Sequence, residues 1–385
     1  MKGEGTITKS LLYIHNSALD SEKANIIQVI CMCNALHENG IDVTLLSPRI
    51  EITDYKKYIK EIFGYDIKFK LSFYDRRFKN NLLQKYFGYR KIYKYLNEDN
   101  SEYVFTRIPN IVPKILKNKR KLIFEAHNNK LHERIKLINF FLKRVLLKNS
   151  LNPRFILFIC ISHNLKRFWK NYGVNDLKLI ALHDGFDSKR FESPQSKDFY
   201  RKRLGIKSNK TLAVYTGSLY SNRKIESIIT LAKKNNDVNF LIIGGPNKNL
   251  YHYKNLIKEK NIHNLSLIGR VKHSDIHFYL FAADILIAIW SKDVPTINYC
   301  SPLKLFEYMA SGRNILSSDF ITIREVLKNN KDAVLVNTEN NDEINKGFKI
   351  LKKDMHNFYG SNSRKKALEH YTWGKRAQQI IKNID

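Results

Sequence analysis

Residues 301–325 read Ser-Pro-Leu-Lys-Leu-Phe-Glu-Tyr-Met-Ala-Ser-Gly-Arg-Asn-Ile-Leu-Ser-Ser-Asp-Phe-Ile-Thr-Ile-Arg-Glu. Ser301 is a favourable N-cap residue and Pro302 suits the first helical position, so we expect a helix from about residue 302. Gly312 is expected to end this helix, before a buried strand that begins at Ile315. The unpaired N–H groups at the start of a helix bind anions, phosphate above all. The segment therefore predicts an anion site at the first turn of the helix.

Glu307 lies more than a turn into this predicted helix, among Leu303, Phe306 and Ala310. A buried carboxylate without partners is costly. The residue is therefore either an ordinary exposed helix position or a functional acceptor of hydroxyl hydrogen bonds. A phosphate site beside such an acceptor is typical of a nucleotide-sugar site.

The length and the pattern of apolar runs predict two α/β domains. A chain of 385 residues exceeds one typical core. Strands and helices alternate from residues 11–14 onward, and the alternation restarts at residues 212–216, which favours parallel sheets. The polar stretch 183–205 is the expected linker. Residues 363–384 are expected to form a helical tail.

Charge indicates anionic partners. The formal net charge is +31, and residues 101–150 carry 12 Lys/Arg against 3 Asp/Glu. Nucleic acid, a membrane surface or a phosphorylated substrate would each fit, as would a general preference for lysine. Residues 130–148, which include Arg134, predict a basic amphipathic helix; it either lies on an anionic membrane or packs on the core with a solvated basic face. Basic and aromatic residues also interleave over 86–94, including Tyr86 and Phe87.

Several features point to a cytoplasmic protein. No apolar run approaches the length of a membrane span, and the N-terminus lacks the pattern of a signal peptide. The cysteines at 31, 33, 160 and 300 form no disulfide framework. The first half lacks a Gly-x-Gly-x-x-Gly fingerprint, so it is not expected to bind a dinucleotide. No Asp-x-Asp motif is present to hold Mg²⁺ or Mn²⁺, so no metal is expected.

An ordered set of motifs resembles the retaining glycosyltransferases of family 4, which have the GT-B fold. In the second half these motifs are Tyr215-Thr-Gly-Ser-Leu-Tyr220, Ile242-Ile-Gly-Gly245, Leu267-Ile-Gly-Arg-Val271, Ala283-Asp284, residues 301–312, Ser318-Asp319 and Arg324-Glu325. Tyr371-Thr-Trp373 with Arg376-Ala377 resembles the closing helix of the family. In the first half the resemblance rests on Ser21-Glu-Lys-Ala-Asn25, Gln28-Val29 and Glu125-Ala-His127.

The resemblance implies a fold of two doubly wound Rossmann-like domains facing across a cleft. It implies an acceptor-binding domain over 1–190, a nucleotide-sugar domain over 191–365, and a helix over 366–385 that crosses back to the N-terminal domain. Glu307 matches the glutamate that binds the ribose hydroxyls, whereas the family's first glutamate falls on Tyr299. His127 matches the histidine that approaches the reaction centre.

The resemblance also implies further donor-binding residues, although this sequence differs from the family at some of their positions. The family's diphosphate-binding Arg falls on Ser218 and its Lys on Arg223, with Lys224 where glycine is usual. Val271, after Arg270, matches the position whose backbone contacts the base, and backbone N–H groups around residues 301–303 would hold the sugar and diphosphate. Lys304 either adds charge or is solvated. The expected donor-binding set is Gly217, Ser218, Lys224, Gly244, Arg270, Val271, Ser301, Pro302, Leu303 and Lys304, beside the catalytic set His127, Arg223 and Glu307.

The expected function is that of a retaining hexosyltransferase that needs no metal. It would move a sugar from a nucleotide-diphosphate donor, UDP favoured and GDP also considered, to a glycan or lipid-linked acceptor. Capsule, O-antigen or lipopolysaccharide assembly at the inner face of the cytoplasmic membrane fits the charge. A GT-B sugar-nucleotide epimerase is the alternative enzyme, and a nucleic-acid-binding protein is disfavoured by the two α/β halves.

Overall fold

The computed structural model describes residues 9–20, 23–49, 52–75, 81–131, 135–207, 209–354 and 356–384, and for residues 81–88 the backbone only. The chain forms two compact units. The first comprises Met1–His183 and Trp373–Asp385, and the second comprises Asp184–Thr372. The chain thus changes unit at 183/184 and 372/373, where the expected boundaries were 190/191 and 365/366.

The strands of both units follow the apolar runs of the sequence. They are β1 (Lys9–Ile14), β2 (Ile41–Pro48), β3 (Lys70–Tyr74), β4 (Tyr103–Thr106), β5 (Lys121–Ala126), β6 (Phe155–Cys160), β7 (Leu179–Ala181), β8 (Thr211–Thr216), β9 (Val238–Ile243), β10 (Leu265–Ile268), β11 (Ile285–Ala288), β12 (Asn314–Ser318) and β13 (Val334–Val336).

Helices connect successive strands. They are α1 (Ala24–Glu38), α2 (Tyr55–Phe63), α3 (Asn81–Glu98), α4 (Val112–Lys117), α5 (Lys136–Ser150), α6 (His163–Asn171), α7 (Lys197–Arg203), α8 (Ile225–Lys234), α9 (Asn247–Glu259), α10 (Ile276–Ala282), α11 (Leu303–Ser311), α12 (Ile321–Arg324), α13 (Asn341–Lys353), α14 (Phe358–His370) and α15 (Trp373–Lys382).

Each unit is built on one parallel sheet. The strand order is β3-β2-β1-β4-β5-β6-β7 in the first and β10-β9-β8-β11-β12-β13 in the second. In each sheet the next two strands in sequence lie on one side of the first strand and the later strands lie on its other side, as in a doubly wound fold. The winding direction therefore reverses between β1 and β4 and between β8 and β11. The expected α/β fold class is confirmed.

The core of the second unit shows why the strands are apolar along their whole length. Leu212 and Val214 of β8 pack into the hydrophobic layer that includes α10 and α11. Ala213 and Tyr215 of the same strand pack into the opposite layer, with α8 and α9. Because successive side chains of a strand point to opposite faces, a sheet covered on both sides needs apolar residues at every position.

The last helix returns to the first unit, as expected for this fold. Helix α15 packs against α1, and Trp373, Ala377 and Ile380 are buried. The tail is, however, two helices and not one, because α14 ends at His370 and α15 begins at Trp373. Between them Tyr371 has φ −118° and ψ 25°, outside the helical region.

Other differences have local causes. Residues 184–205 are not a plain linker: Ser196 accepts a hydrogen bond from the N–H of Phe199 and starts α7, and Tyr200 is buried in the second unit. The sequence analysis did not identify β3, whose residues are mostly half-buried, or β13, which has three residues. None of the described helices is long and apolar enough to cross a membrane.

Parts of three predicted features lie outside the described residues: the first-loop motif, the basic helix over 130–148 and the basic and aromatic segment 86–94. Ser21 and Glu22 of the first-loop motif and residues 132–134, with Arg134, are not among the described residues, nor are the side chains of Tyr86 and Phe87. The described part of the predicted 130–148 helix is α5. It buries Leu142 and Leu146, as the core-packed interpretation requires, but it also exposes large apolar residues.

Candidate functional site

The carboxyl ends of β8 and β11 form the switch point of the second sheet. The two strands pair directly, Ile285 with Ala213 and Leu286 with Val214. Their connections leave toward opposite edges, to β9 and to β12. Ligands of open α/β sheets bind in the crevice that such a reversal leaves. The loops after β8 and β11 and the start of α11 are therefore the place to look for a site.

Lys304 of α11 occupies this switch point. Its Nζ lies 4.1 Å from the ring centroid of Tyr215, 4.8 Å from that of Trp290, and 3.3 Å from the carbonyl oxygen of Thr216, to which it donates. Burial, with the nearby Arg223, holds the pKa of Lys304 well below its usual range. No carboxylate of a described residue pairs with this ammonium group. A partly buried lysine that is held by rings and a carbonyl, and whose charged form lacks an anionic partner, is a site ready for an anion.

Two glycines make room for this arrangement. Gly244, at φ +156°, lies so close to Gly217 that an added Cβ would be 1.6 Å from the carbonyl oxygen of Gly217. At Gly217, with φ +142°, a Cβ would lie 3.2 Å from the Tyr215 hydroxyl and 3.5 Å from Nζ of Lys304. The loops after β8 and β9 can therefore meet only as bare backbone, and this contact leaves the space that Lys304 fills.

Arg223 is a second cation of the loop after β8. It lies in a 3-10 turn, is partly buried, and donates from Nε to the hydroxyl of Ser218 over 3.2 Å. Lys224 differs, because its Nζ pairs with Oε2 of Glu339 at 2.8 Å and holds the pKa of that carboxyl below its usual range. Ser218, where the resemblance predicts an arginine, thus orients the arginine five residues later.

The start of α11 corrects the expected cap. The helix begins at Leu303, Pro302 precedes it, and the first helical bond runs from the N–H of Leu305 to the carbonyl of Pro302. The buried Ser301 is not the N-cap: its Oγ accepts a hydrogen bond from the N–H of Asp184 at 2.8 Å. Gly312 ends the helix at φ +70°, as predicted.

Glu307 is held by a histidine that the sequence did not single out. Its Oε1 lies 3.1 Å from Nε2 of His273, and Nη1 of Arg190 lies 3.1 Å from Nδ1 of the same ring. Arginine only donates, so Nδ1 accepts and Nε2 donates to Glu307. No described residue bonds the other carboxylate oxygen. The side chain is 18% exposed, which rules out a plain surface position.

Three further positions that the resemblance singled out make the following contacts. Arg270 is exposed, and its Nε would lie 2.8 Å from a Cβ at Gly245, so the side chain covers that glycine. Val271 is half-buried against the core of the second unit. Tyr299, at the position of the missing glutamate, donates from its backbone N–H to the carbonyl of Thr296.

His127 lies in the first unit, directly after β5. Its Nε2 is 2.6 Å from Oε1 of Glu125, and its side chain is 31% exposed. Burial and the charge of Arg107 lower the pKa of His127 to about 4. The histidine is therefore neutral near physiological pH. Among the described residues of both units, no group of three His, Cys, Asp or Glu side chains could hold a metal ion.

Comparison with known proteins identifies a family over most of the second unit and similar folds over the whole chain. Residues 196–367 match the family described as "Glycosyl transferases group 1", which supports a glycosyltransferase. Similar solved structures include HepE (Alr3699) of Anabaena with UDP-glucose, at 14% identity over 98% of this chain and 99% of that chain with a TM-score of 0.74. Sucrose-phosphate synthase of Thermosynechococcus elongatus has 13% identity over 97% and 98% with a TM-score of 0.76. No curated protein sequence matches significantly.

WaaG, a glycosyltransferase involved in lipopolysaccharide biosynthesis, is also similar, at 14% identity over 96% of this chain and 99% of that chain with a TM-score of 0.68. The fold is GT-B. In this GT-B chain the group 1 match spans β8 to β13 and α11, so it contains the switch point with Lys304, Arg223 and Glu307. His273 and Arg190, which the sequence analysis missed, come from the loops before α10 and before α7. The sequence signal for His273 was its position two residues after Val271, a predicted base-contacting residue.

Proposed function

We propose that this chain is a retaining glycosyltransferase of family 4 that transfers a sugar from UDP-sugar to a hydroxyl group. The observation that carries the proposal is Lys304, a cation at the switch point of the second unit that no described carboxylate pairs with. Phosphate groups are the anions that such positions bind in α/β folds. The group 1 match over the same residues supports this choice of ligand.

The diphosphate would be held from three directions. Lys304 supplies an ammonium group beside the loop after β8, and Arg223 supplies a guanidinium that can hold two phosphate oxygens at once. The free N–H groups of Leu303 and Lys304 at the start of α11 add the dipole of the helix. Gly217 and Gly244 leave the loop surface bare. Ser218 holds Arg223, and Ser301 and Pro302 lie immediately before the start of α11. Lys224, already paired with Glu339, contributes charge only.

The nucleoside would lie beside Glu307. Its free carboxylate oxygen can accept hydrogen bonds from the two ribose hydroxyls while His273 holds the other oxygen. Val271, after Arg270, would contact the base through its backbone. UDP is the preferred nucleotide because the similar HepE was solved with UDP-glucose. A GDP-sugar lacks such support.

The reaction would proceed with retention at the anomeric carbon. The bond between this carbon and the β-phosphate oxygen breaks, the acceptor oxygen bonds to the same face, and its proton passes to the leaving phosphate. Arg223 and Lys304 stabilise the charge that develops on this phosphate, which is the main catalytic demand of the step. We assign His127 to the sugar at the reaction centre, and no side-chain base or metal is needed.

The acceptor would be a glycan or a lipid-linked glycan of a cell-surface polysaccharide, bound by the first unit. The likeness to WaaG, a protein of lipopolysaccharide biosynthesis, supports this class. We place the enzyme in the cytoplasm, at the inner face of the membrane where such acceptors are presented.

Helix α5 would provide the contact with the membrane. Leu137, Phe140 and Phe141 are 76%, 51% and 65% exposed. At 100° per residue, these positions fall on one stripe with Arg144, Lys148 and Leu151, which is 71% exposed. The guanidinium of Arg144 lies 4.7 Å from the ring centroid of Phe140. Aromatic and aliphatic side chains among basic ones suit the headgroup region of an anionic bilayer.

The test of the donor site is thermal stabilisation by UDP, GDP, CMP and ADP, for the wild type, Glu307→Ala and the control Glu259→Ala. We expect UDP to stabilise the wild type and the control. Loss of hydrogen bonds to a charged group costs about 1.5–3 kcal/mol, so Glu307→Ala should weaken binding about 10- to 150-fold. Equal stabilisation of all three proteins would contradict the role of Glu307, and no stabilisation by any nucleotide would contradict the donor site.

A transfer assay then separates the enzyme classes. UDP-sugars are supplied with and without a lipid-linked glycan extract, and the product is analysed by NMR. Transfer with an axial donor and an axial product supports retention. Interconversion of the nucleotide sugar without an acceptor would favour the epimerase alternative.

A further inference from the structure

The first unit contains a buried cluster of charges that the proposed reaction does not use directly. Glu125, the penultimate residue of β5, has a fully buried side chain. Its Oε2 lies 2.7 Å from Nη2 of Arg376 on α15, and its Oε1 lies 2.8 Å from Nη2 of Arg107, which follows β4. Oε1 also lies 2.6 Å from Nε2 of His127 and accepts a longer bond, 3.4 Å, from Gln28. One carboxylate thus serves four partners.

The carboxyl group is ionised and can only accept. Burial alone would raise the pKa of Glu125, but Arg376 and Arg107 outweigh burial and hold the pKa well below its usual range. Both arginines only donate, and so does the amide nitrogen of Gln28. The hydrogen-bond direction at Glu125 is therefore the same for all its partners.

His127 stays neutral beside this carboxylate. Arg107 and Arg376 carry two positive charges and Glu125 one negative charge, so the cluster has a net charge of about +1 even with a neutral His127. Burial and Arg107 lower the pKa of His127 to about 4, although Glu125 opposes the shift. A neutral imidazole carries one N–H, and the nitrogen that faces a pure acceptor must carry it. The proton is on Nε2, so Nδ1 presents a lone pair, and no described residue bonds Nδ1.

We propose that Glu125 is a positioning residue that holds His127 in the Nε2–H tautomer, so that Nδ1 accepts a hydrogen bond from a sugar hydroxyl. This inference rests on the proposed function only for the role of His127 at the sugar. Arg376 also contributes to the positioning, because it fixes Oε2 from a helix that is remote in sequence and leaves Oε1 to His127, Arg107 and Gln28. His127 cannot donate a hydrogen bond from Nδ1 in this state.

The first experiment needs no variant of Glu125. Wild-type protein labelled with ¹⁵N-histidine is examined by two-bond ¹H–¹⁵N correlation, and His127→Asn assigns the His127 signals. We expect a neutral Nε2–H ring at about pH 7 that is still neutral at about pH 5.5, well below the usual histidine pKa of about 6.5. An Nδ1–H ring or an imidazolium at neutral pH would overturn the proposal, whatever the activity.

The second experiment removes the charge of Glu125. In Glu125→Gln the single amide oxygen is drawn to the arginines, and the amide NH₂ can donate to His127. We expect a mixture of tautomers and a turnover that falls about 10- to 100-fold, the range for loss of a group that orients a histidine. The control Glu102→Gln alters an exposed carboxylate that pairs with Lys121, and should leave the His127 spectrum unchanged. An unaltered tautomer in a folded Glu125→Gln protein would overturn the proposal.

The two claims about His127 fail separately. If the ring is Nε2–H in the wild type and His127→Asn still transfers sugar at the wild-type rate, the positioning by Glu125 stands and the assigned role of His127 in transfer is wrong. If Glu125→Asp, which retains the carboxylate, restores both the tautomer and part of the turnover, the positioning role is supported directly.

Discussion

Replacing Lys304 with methionine should weaken nucleotide binding without lowering the free energy of unfolding. Methionine has a similar length and no charge, so the substitution removes a partly buried amine whose charged form has no described carboxylate partner. The free protein loses cation–π contacts with Tyr215 and Trp290, worth about 0.5–2 kcal/mol. It also avoids the cost of keeping a charge out of water, which is of similar or larger size. We expect a free energy of unfolding that is unchanged or higher by up to about 2 kcal/mol.

Binding of UDP should weaken in the same variant. Two unit charges about 4 Å apart attract by about 4 kcal/mol at an effective dielectric constant of about 20. Desolvation of phosphate and ammonium reduces this, and a hydrogen bond to a charged group contributes about 1.5–3 kcal/mol net. The Kd for UDP should therefore rise about 10- to 150-fold.

The assay combines urea unfolding with calorimetric titration of UDP, for the wild type, Lys304→Met and the control Lys260→Met. Lys260 is exposed at the end of α9, so its loss should change neither quantity. A Lys304→Met protein that is folded and binds UDP as tightly as the wild type would refute the assignment of Lys304. So would a large loss of stability without loss of affinity, because the lysine would then be purely structural.

Three further outcomes follow from particular contacts. Gly244→Ala should lower the free energy of unfolding by about 2–4 kcal/mol in a thermal or urea melt, because its Cβ would overlap the Gly217 carbonyl; Gly205→Ala, with φ +68° and nothing within 4 Å, should cost only about 1 kcal/mol. Burial is the main cause that lowers the pKa of both His127 and His277 to about 4. Because the unfolded chain binds protons at a higher pH than the folded one, the contribution of these histidines to the free energy of unfolding should be complete above about pH 6.5 and fall as the pH drops toward 4. His277→Gln should reduce this decrease in the free energy of unfolding by about 1–2 kcal/mol. A pH profile identical to that of the wild type would contradict the lowered pKa of His277. Phe141→Asp should reduce sedimentation with vesicles of phosphatidylcholine and phosphatidylglycerol about tenfold or more, whereas Tyr251→Asp, at a residue of α9 in the second unit that is 68% exposed, should have no effect.

Local patterns predicted the elements of the fold well. The apolar runs at β1, β8 and β12 identified buried parallel strands, and Gly312 ended α11 because a left-handed residue needs no side chain there. The cap of α11 was wrong by one residue because the hydroxyl of Ser301 bonds the backbone of Asp184, 117 residues away. A cap prediction from sequence assumes a local partner and cannot include such a contact.

The partners of the site residues were beyond the sequence for the same reason. His273 meets Glu307 across 34 residues, and Arg376 meets Glu125 across 251. The chain neighbours of Lys304 left open whether the side chain adds charge or is solvated. The fold places its Nζ against the rings of Tyr215 and Trp290, and its role at the donor site stays a prediction. Family resemblance named the positions, but the charge balance of each depends on side chains from other loops.

A crystal structure with bound UDP would show whether the switch point of the second unit is the donor site. We expect the β-phosphate within hydrogen-bond distance of Nζ of Lys304 and of the guanidinium of Arg223, with the ribose hydroxyls on the carboxylate oxygen of Glu307 that His273 does not hold. UDP bound elsewhere on the chain, or a diphosphate at the switch point that leaves Lys304 on its rings without contact, would contradict it.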